Sequence, residues 1–586
     1  MLIPETRELV AAPGSFRAPV PGARIVGPPT GHEIIHAVLL LRSKHGAGLA
    51  EQISAVTGSA ARNRRFLTHE EMETQFGADA GDIALVEQFA RVRGLWIVKS
   101  SAAQRLVVVA GASEHVSRAF GTTLEIYAVG SRSYRGRTGS VYIPKHLENI
   151  ITGVFGLDNR PILEPNFRVQ DQEAARITGA LQENIFSIPE MARLHDFPAR
   201  LNGTGQCVGI VALNSPADKN EGEPESLWAG GFDMADVEQH FTSLSMPRPG
   251  IATVPVLGGG NRPGSNMSVD AAVTLDVEVA GAAAPGARQA VYMAPNTTAG
   301  LLCALKEAIY DRQNAPSVIA VSWSAPEGSP AWTPGIMRAL ADTIAEAALL
   351  GITVCCGLPP ISERAGALAP QFPASSPLTL ACGVSATAWS FAFRAAPNQA
   401  GAKAETAEGS DSRCFPRPSY QHLLAPASGR LTPDISATSS VLCAFRITLG
   451  KKQVLVSATS TSLAAFWSAL IAQCNQGARI RSGFLTPLLY EDRAASTFIG
   501  KAGAKPATPA NDPPARTWTP TAGLGTPSGV RLLELLGGED RPARADDPSG
   551  SHGTTADADI DKAMQDTIRG LNRLLEKSWR MASVAM

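Results

Sequence analysis

A chain of 586 residues is too long for one ordinary hydrophobic core, so two or three domains are expected. Its 44% hydrophobic and 18% charged content is that of a globular protein, and a formal net charge of −1 argues against nucleic acid as a partner. No apolar run approaches the roughly 20 residues of a membrane helix, and the opening MLIPETRELVAAPGSFRAPV lacks an apolar h-region. Neither a transmembrane segment nor a secretory signal is therefore expected, and the cytoplasm is favoured over export.

Residues 1–30, rich in Pro, Gly and Ala, predict an irregular lead-in. Over 31–160 short elements of both kinds follow. His36 to Leu41 predicts a strand and Leu49 to Val56 a helix, and Thr68 with Glu71 forms a capping box that opens a second helix. Ile83 to Val92 carries a helical stripe; Leu95–Lys99 and Arg105–Val109 are strands; Ser113 caps a helix through Phe120. Ile126 to Arg137 predicts a hairpin and Pro144 to Val154 a short helix, which completes an α+β domain. Residues 161–183 are polar with weak periodicity and predict a linker.

From 184 to 537 the rhythm changes. Apolar runs at Cys207–Leu213, Gln289–Ala294, Ser317–Ser322, Thr353–Cys356 and Leu378–Cys382 alternate with helical patterns at Asp233–Phe241, Ala271–Ala284, Ala299–Gln313 and Pro334–Leu350. Such alternation predicts an α/β domain, a parallel sheet with helices on both faces. Residues 538–556 are charged and bear Pro and Gly, which predicts a disordered linker. In 557–586 an apolar stripe through Ile560, Met564, Ile568, Leu571, Leu575 and Trp579 predicts an amphipathic helix that packs back, self-associates or docks a partner.

Eight cysteines stand at 207, 303, 355, 356, 382, 414, 443 and 474 with no C-x-x-C spacing. Mostly apolar surroundings point to buried thiols rather than a metal site or a disulfide framework. A second chemical candidate is the run Ser457-Ala458-Thr459-Ser460-Thr461-Ser462 before the apolar stretch from Leu463. A hydroxyl there can cap the helix or serve as a nucleophile aided by the helix dipole.

Several stretches make the chain similar to a known family: IPEMARLHDFP (188–198), GTGQCVGIVAL (203–213), LDVEVAGAAAPGA (275–287), VYMAPNTTAG (291–300), SVIAVSWS (317–324), FPASSPLTLACG (372–383), PDISA (433–437) and GLGTPSGVRLLELL (523–536). Residues 184–537 resemble the catalytic domain of the sedolisins, serine-carboxyl peptidases with a subtilisin-like fold. Residues 33–157 resemble the pro-kumamolisin activation domain.

The resemblance implies a catalytic serine, a Glu that takes its proton, an Asp one helical turn later that orients the Glu, and a second Asp that stabilises the oxyanion. Position by position, this chain departs from that set. Asp276 matches the orienting Asp, but Ala272 stands where the Glu belongs. Asp270 is no substitute, because six residues along a helix turn it about 240° from Asp276, against about 40° for four. Glu278 matches another family residue and points elsewhere. Leu358, in Gly357-Leu358-Pro359-Pro360, replaces the oxyanion Asp. The nucleophile falls at Thr461 if the helix sets the alignment and at Ser460 if the local Ala-Thr-Ser does; the motif's glycine becomes Ala458 or Thr459 and its proline Ala464 or Ala465. Two calcium aspartates are replaced by Phe498 and Thr519, so no cofactor is expected and the family's calcium site is expected to be lost.

The expected function is a non-catalytic homologue that keeps its activation domain and binds a peptide or protein in the former substrate cleft. The alternative is an active serine-type endopeptidase with a rebuilt site, using Ser460 or Thr461 with Asp276 as base, and Cys355-Cys356 as a thiol source near the cleft.

Overall fold

The apolar runs and helical stripes pair, in a computed structural model, into an antiparallel N-terminal sheet and a larger parallel sheet behind it. The structure describes residues 8–44, 52–53, 56, 63–130, 132–165, 187–216, 228–264, 266–359, 369–385, 411–422, 424, 428–438, 444–457, 460–499, 518–520 and 522–540.

The N-terminal part runs β1 (Leu9–Ala11), β2 (Arg24–Gly27), β3 (Ile34–Leu41), α1 (His69–Phe76), α2 (Ala80–Val92), β4 (Trp96–Ser101), β5 (Leu106–Ala112), α3 (Ser113–Ala119), β6 (Glu125–Val129), β7 (Arg132–Gly136), β8 (Tyr142–Pro144) and β9 (Ile151–Phe155). Its main sheet has the antiparallel order β4-β5-β3-β9. The central strands β3 and β5 read as unbroken apolar runs because both of their faces are covered. Ala37, Leu39, Val107 and Val109 meet Val86, Phe89 and Val116 in the domain's own core. Val38, Leu40, Leu106 and Val108, on the opposite face, belong to the same buried cluster as the second domain.

Four expectations for this part change. The lead-in 1–30 is not irregular throughout: β1 pairs with β8 and β2 with β6, so tertiary pairing overrides its Pro and Gly content. Ser113 is the first residue of α3 rather than its cap; its hydroxyl donates to the Thr30 carbonyl at 3.0 Å, and the capping position, Ala112, makes no side-chain bond. Residues 144–154 are not a helix. After a short 3₁₀ turn at Lys145–Leu147, β-branched Ile151, Thr152 and Val154 lie in β9, which completes the sheet beside β3. The linker's start is also ordered: β10 (Glu164–Pro165) pairs with a strand of the second domain, and Ile162 and Leu163 are buried. The Thr68–Glu71 capping box is present as expected. The helix expected at Leu49–Val56 falls mostly outside the described residues, and residues 166–183 and 557–586 wholly so. At the start of the tail the expectation of disorder changes for 538–540, where Asp540 accepts the Arg200 N–H at 3.1 Å.

The second part contains α4 (Ile188–Leu194), β11 (Cys207–Pro216), β12 (Trp228–Ala229), α5 (Met234–Ser243), β13 (Ile251–Pro255), α6 (Met267–Ala283), β14 (Arg288–Pro295), α7 (Thr298–Tyr310), β15 (Val318–Val321), β16 (Trp323–Pro326), α8 (Pro334–Leu349), β17 (Thr353–Gly357), β18 (Gln371–Phe372) and β19 (Leu380–Ser385). It continues through β20 (Asp411–Pro416), β21 (Gly429–Leu431), β22 (Ile435–Thr438), β23 (Ala444–Leu449), β24 (Lys452–Ser457), α9 (Ser460–Ala478), α10 (Thr486–Leu489), β25 (Phe498–Ile499), β26 (Thr526–Pro527) and α11 (Gly529–Leu535). The order β13-β14-β11-β15-β17-β19-β22 is parallel throughout. Helices α6 and α9 pack along each other over this sheet, and α7 and α8 form a second pair. The fold is therefore the expected α/β class: a subtilisin-like parallel sheet between helices, preceded by an α+β domain.

The two parts are joined by more than the chain. Arg64 donates to the carbonyls of Ser482 and Phe484, and the Leu67 N–H to that of Leu349. Phe66 lies so close over Gly351 and Gly483 that a Cβ at either would come within 2.7 Å or less of its ring.

Candidate active site

Helix α6 is capped by Asn266, whose side chain accepts the Val269 N–H at 3.1 Å, and is buried on nearly every side. Its small residues allow α9 to pack close. Asp276 lies mid-helix, 2% exposed, and its Oδ1 accepts the Ser322 hydroxyl at 2.9 Å. Burial pushes the Asp276 carboxyl up to about 8, with the Ser322 hydrogen bond pulling the other way. The group is therefore neutral through the acid range and held by a hydroxyl. Ala272, one turn earlier, is buried in the apolar cluster.

Sequence reasoning missed Ser322. It directly follows β15, at the carboxyl end of a central parallel strand, where open α/β sheets place their ligands. A lone hydroxyl after an apolar strand is the signal that could have found it.

The neighbouring carboxylates have structural duties. Asp270 accepts the N–H groups of Gly231 at 2.9 Å and Gly264 at 2.7 Å. Glu278 accepts the Thr448 N–H at 3.0 Å and lies 3.0 Å from Nδ1 of His240. Burial raises the Glu278 carboxyl well above its usual range and pushes His240 down to about 4. With Asp236, which accepts from Gly450 and Lys451, they fix the β23–β24 hairpin that leads to the hydroxyl run.

Helix α9 begins at Ser460, so the backbone of Ser460 and Thr461 forms its first turn beside α6. The side chains of both fall outside the described residues. Leu358 follows β17; its N–H donates to the Cys382 carbonyl at 3.0 Å and its side chain packs into the core. Asp276 and Ser322 are thus brought together, while the positions of Ala272 and Leu358 present only hydrocarbon.

Phe498 packs against the core from β25. The Thr519 hydroxyl accepts the Ala522 N–H at 3.2 Å, inside a turn closed by a Thr519–Gly523 backbone bridge. Among the described residues, no group of three or more His, Cys, Asp or Glu is placed to hold a metal ion. Cys355 and Cys356 are fully buried, and burial raises the Cys356 thiol well above its usual range, which makes it a poor nucleophile. Among the described cysteines Cys414 departs from the expectation of burial and is exposed. No helix among the described residues is long and apolar enough to cross a membrane.

The chain thus sets a parallel α/β domain behind an α+β domain, with a buried helical Asp bonded to a strand-end serine. Residues 21–160 match the family model described as the pro-kumamolisin activation domain. Kumamolisin from Bacillus sp. (strain MN-32) is 31% identical over 560 residues, covering 91% of this chain and 96% of that protein. Tripeptidyl-peptidase sed5 from Aspergillus fumigatus is 23% identical over 339 residues, covering 53% of this chain and 55% of that protein. Among solved structures, Pseudomonas sedolisin complexed with two molecules of pseudo-iodotyrostatin aligns with a TM-score of 0.46 and 20% identity, over 60% of this chain and 97% of that one. The chain belongs to the sedolisin family of kumamolisin-like serine-carboxyl peptidases.

Proposed function

We propose that this chain is a non-catalytic sedolisin homologue that retains its activation domain and acts by binding a peptide or protein in the former substrate cleft. The reading rests on one observation above the rest: Asp276 is buried and bonded to Ser322, with Ala272 where a proton-accepting Glu is expected. A serine or threonine hydroxyl is a weak nucleophile without a base. Leu358 in place of an oxyanion donor removes a further factor of roughly 10²–10³. The shared core with the N-terminal domain supports its retention.

Incubation of the full-length protein with unfolded protein substrates from pH 3 to pH 8 tests this reading. The expected result is no cleavage of substrate and no self-cleavage. Turnover lost in both Asp276→Ala and Ser460→Ala or Thr461→Ala would instead establish an endopeptidase with a rebuilt site.

A further inference from the structure

A cavity of about 20 Å³ lies where three parts of the chain meet. Ser15 and Arg17 approach from the N-terminal segment, Arg137 and Asp158 from the activation domain, and Thr298 and Thr333 from the starts of α7 and α8. A space of about 10–15 Å³ holds one water, so this one admits a water or a single small ion.

Its charges do not balance. Asp158 is shared at 3.4 Å by Arg17 and by Arg160. Arg135 has its own carboxylate in Glu33. Among the described residues Arg137 donates only to carbonyls, Nη1 to Gly139 at 2.5 Å and Nη2 to Ser15 at 2.7 Å. Arg17 is 7% exposed, reaches the Pro330 and Ala331 carbonyls only at 3.4 Å, and leaves its Nε buried with no hydrogen-bond partner among the described residues. Burial, and then the field of Arg17, push the Arg137 guanidinium down to about 10, with Asp158 pulling the other way. A guanidinium still keeps its proton at neutral pH, and buried charge without a counter-charge is costly.

The backbone adds to the imbalance. The 13-residue α7 and the 16-residue α8 both begin at this cavity, with Thr298 the first helical residue of one and Thr333 the cap of the other. Their positive dipole ends favour an anion there.

We propose that the cavity binds one monovalent anion of about chloride size, held by Arg17 and Arg137 at the starts of α7 and α8. The ion supplies the missing counter-charge and ties the N-terminal segment and the activation domain to the second domain. This is independent of whether the chain hydrolyses peptides.

Thermal unfolding of the full-length protein, with sodium gluconate exchanged for sodium chloride at constant ionic strength, tests the proposal, since gluconate is too large for the space. The expected result is a saturable rise of the unfolding midpoint with chloride, reproduced by bromide and lost in Arg137→Met. Equal midpoints in all three salts overturn the proposal. Should Arg137→Met fail to fold, anomalous diffraction from wild-type crystals grown in bromide decides. A bromide peak beside Arg17 and Arg137 supports the site, and a cavity without anomalous signal overturns it.

Discussion

Ser322 donates its hydroxyl to Asp276 across 2.9 Å, and both side chains are buried. The hydroxyl stabilises the carboxylate, yet burial is the larger effect and moves the group from 3.8 to about 8. A carboxyl whose folded pKa is raised contributes stability that is complete below its unfolded pKa and is lost as pH rises toward the folded one. Asp276 therefore weakens the fold progressively between about pH 4 and pH 8, by up to about 1.4 kcal/mol per pH unit. Asp276→Asn keeps an acceptor for Ser322 and removes the titration. Urea unfolding at intervals over this range is expected to show the variant gaining on the wild type at each higher pH.

Ala272→Glu restores a carboxyl one helical turn before Asp276, but into a site filled by hydrocarbon. Ala272 is 8% exposed and belongs to the main apolar cluster. Overpacking at such a position costs typically about 1–3 kcal/mol. Leu358 still stands where an oxyanion donor is expected, so the expected outcome is a less stable protein with no self-cleavage. Urea denaturation and a time course of the intact chain on gels check the two halves of this prediction.

The helices and the central strands were legible because their signals are local. The Thr68–Glu71 capping box and the runs at Cys207, Gln289 and Thr353 announce themselves by spacing alone. What the sequence concealed depends on partners far along the chain. β9 looks helical until β3 offers an edge, and Glu164–Pro165 looks like linker until β16 pairs with it. The site divides in the same way. The residue types at 272, 276 and 358 could be read directly, whereas the Ser322 bond spans 46 positions and the Glu278–Thr448 bond spans 170.

Calcium is expected to leave this protein unchanged. A hard cation needs several oxygen ligands. Phe498 brings a ring that packs inward, and the Thr519 hydroxyl is already engaged with the Ala522 N–H. Thermal unfolding with added calcium and with a chelator is expected to give the same midpoint, since a ligand bound only by the native state would raise it.

Arg105 reaches from the activation domain to the buried Glu346 of α8, where Lys306 at 2.6 Å and the Tyr310 hydroxyl at 3.0 Å converge on the same carboxylate. Burial alone would raise Glu346, but Lys306 and Arg105 outweigh it and hold the carboxyl below its usual range. Removing one member of a buried cluster is costly because it strands the others, typically by about 3–5 kcal/mol. Glu346→Ala strands two cations and is expected to destabilise the whole protein. Arg105→Ala removes the arm from the activation domain and leaves the Lys306–Glu346 pair intact. Its effect is expected to be smaller and one-sided, with faster hydrogen exchange in β5 and α1 and unchanged protection in β11 and β15. Equal loosening of both domains in Arg105→Ala would show that this cluster is not what fastens the activation domain in place.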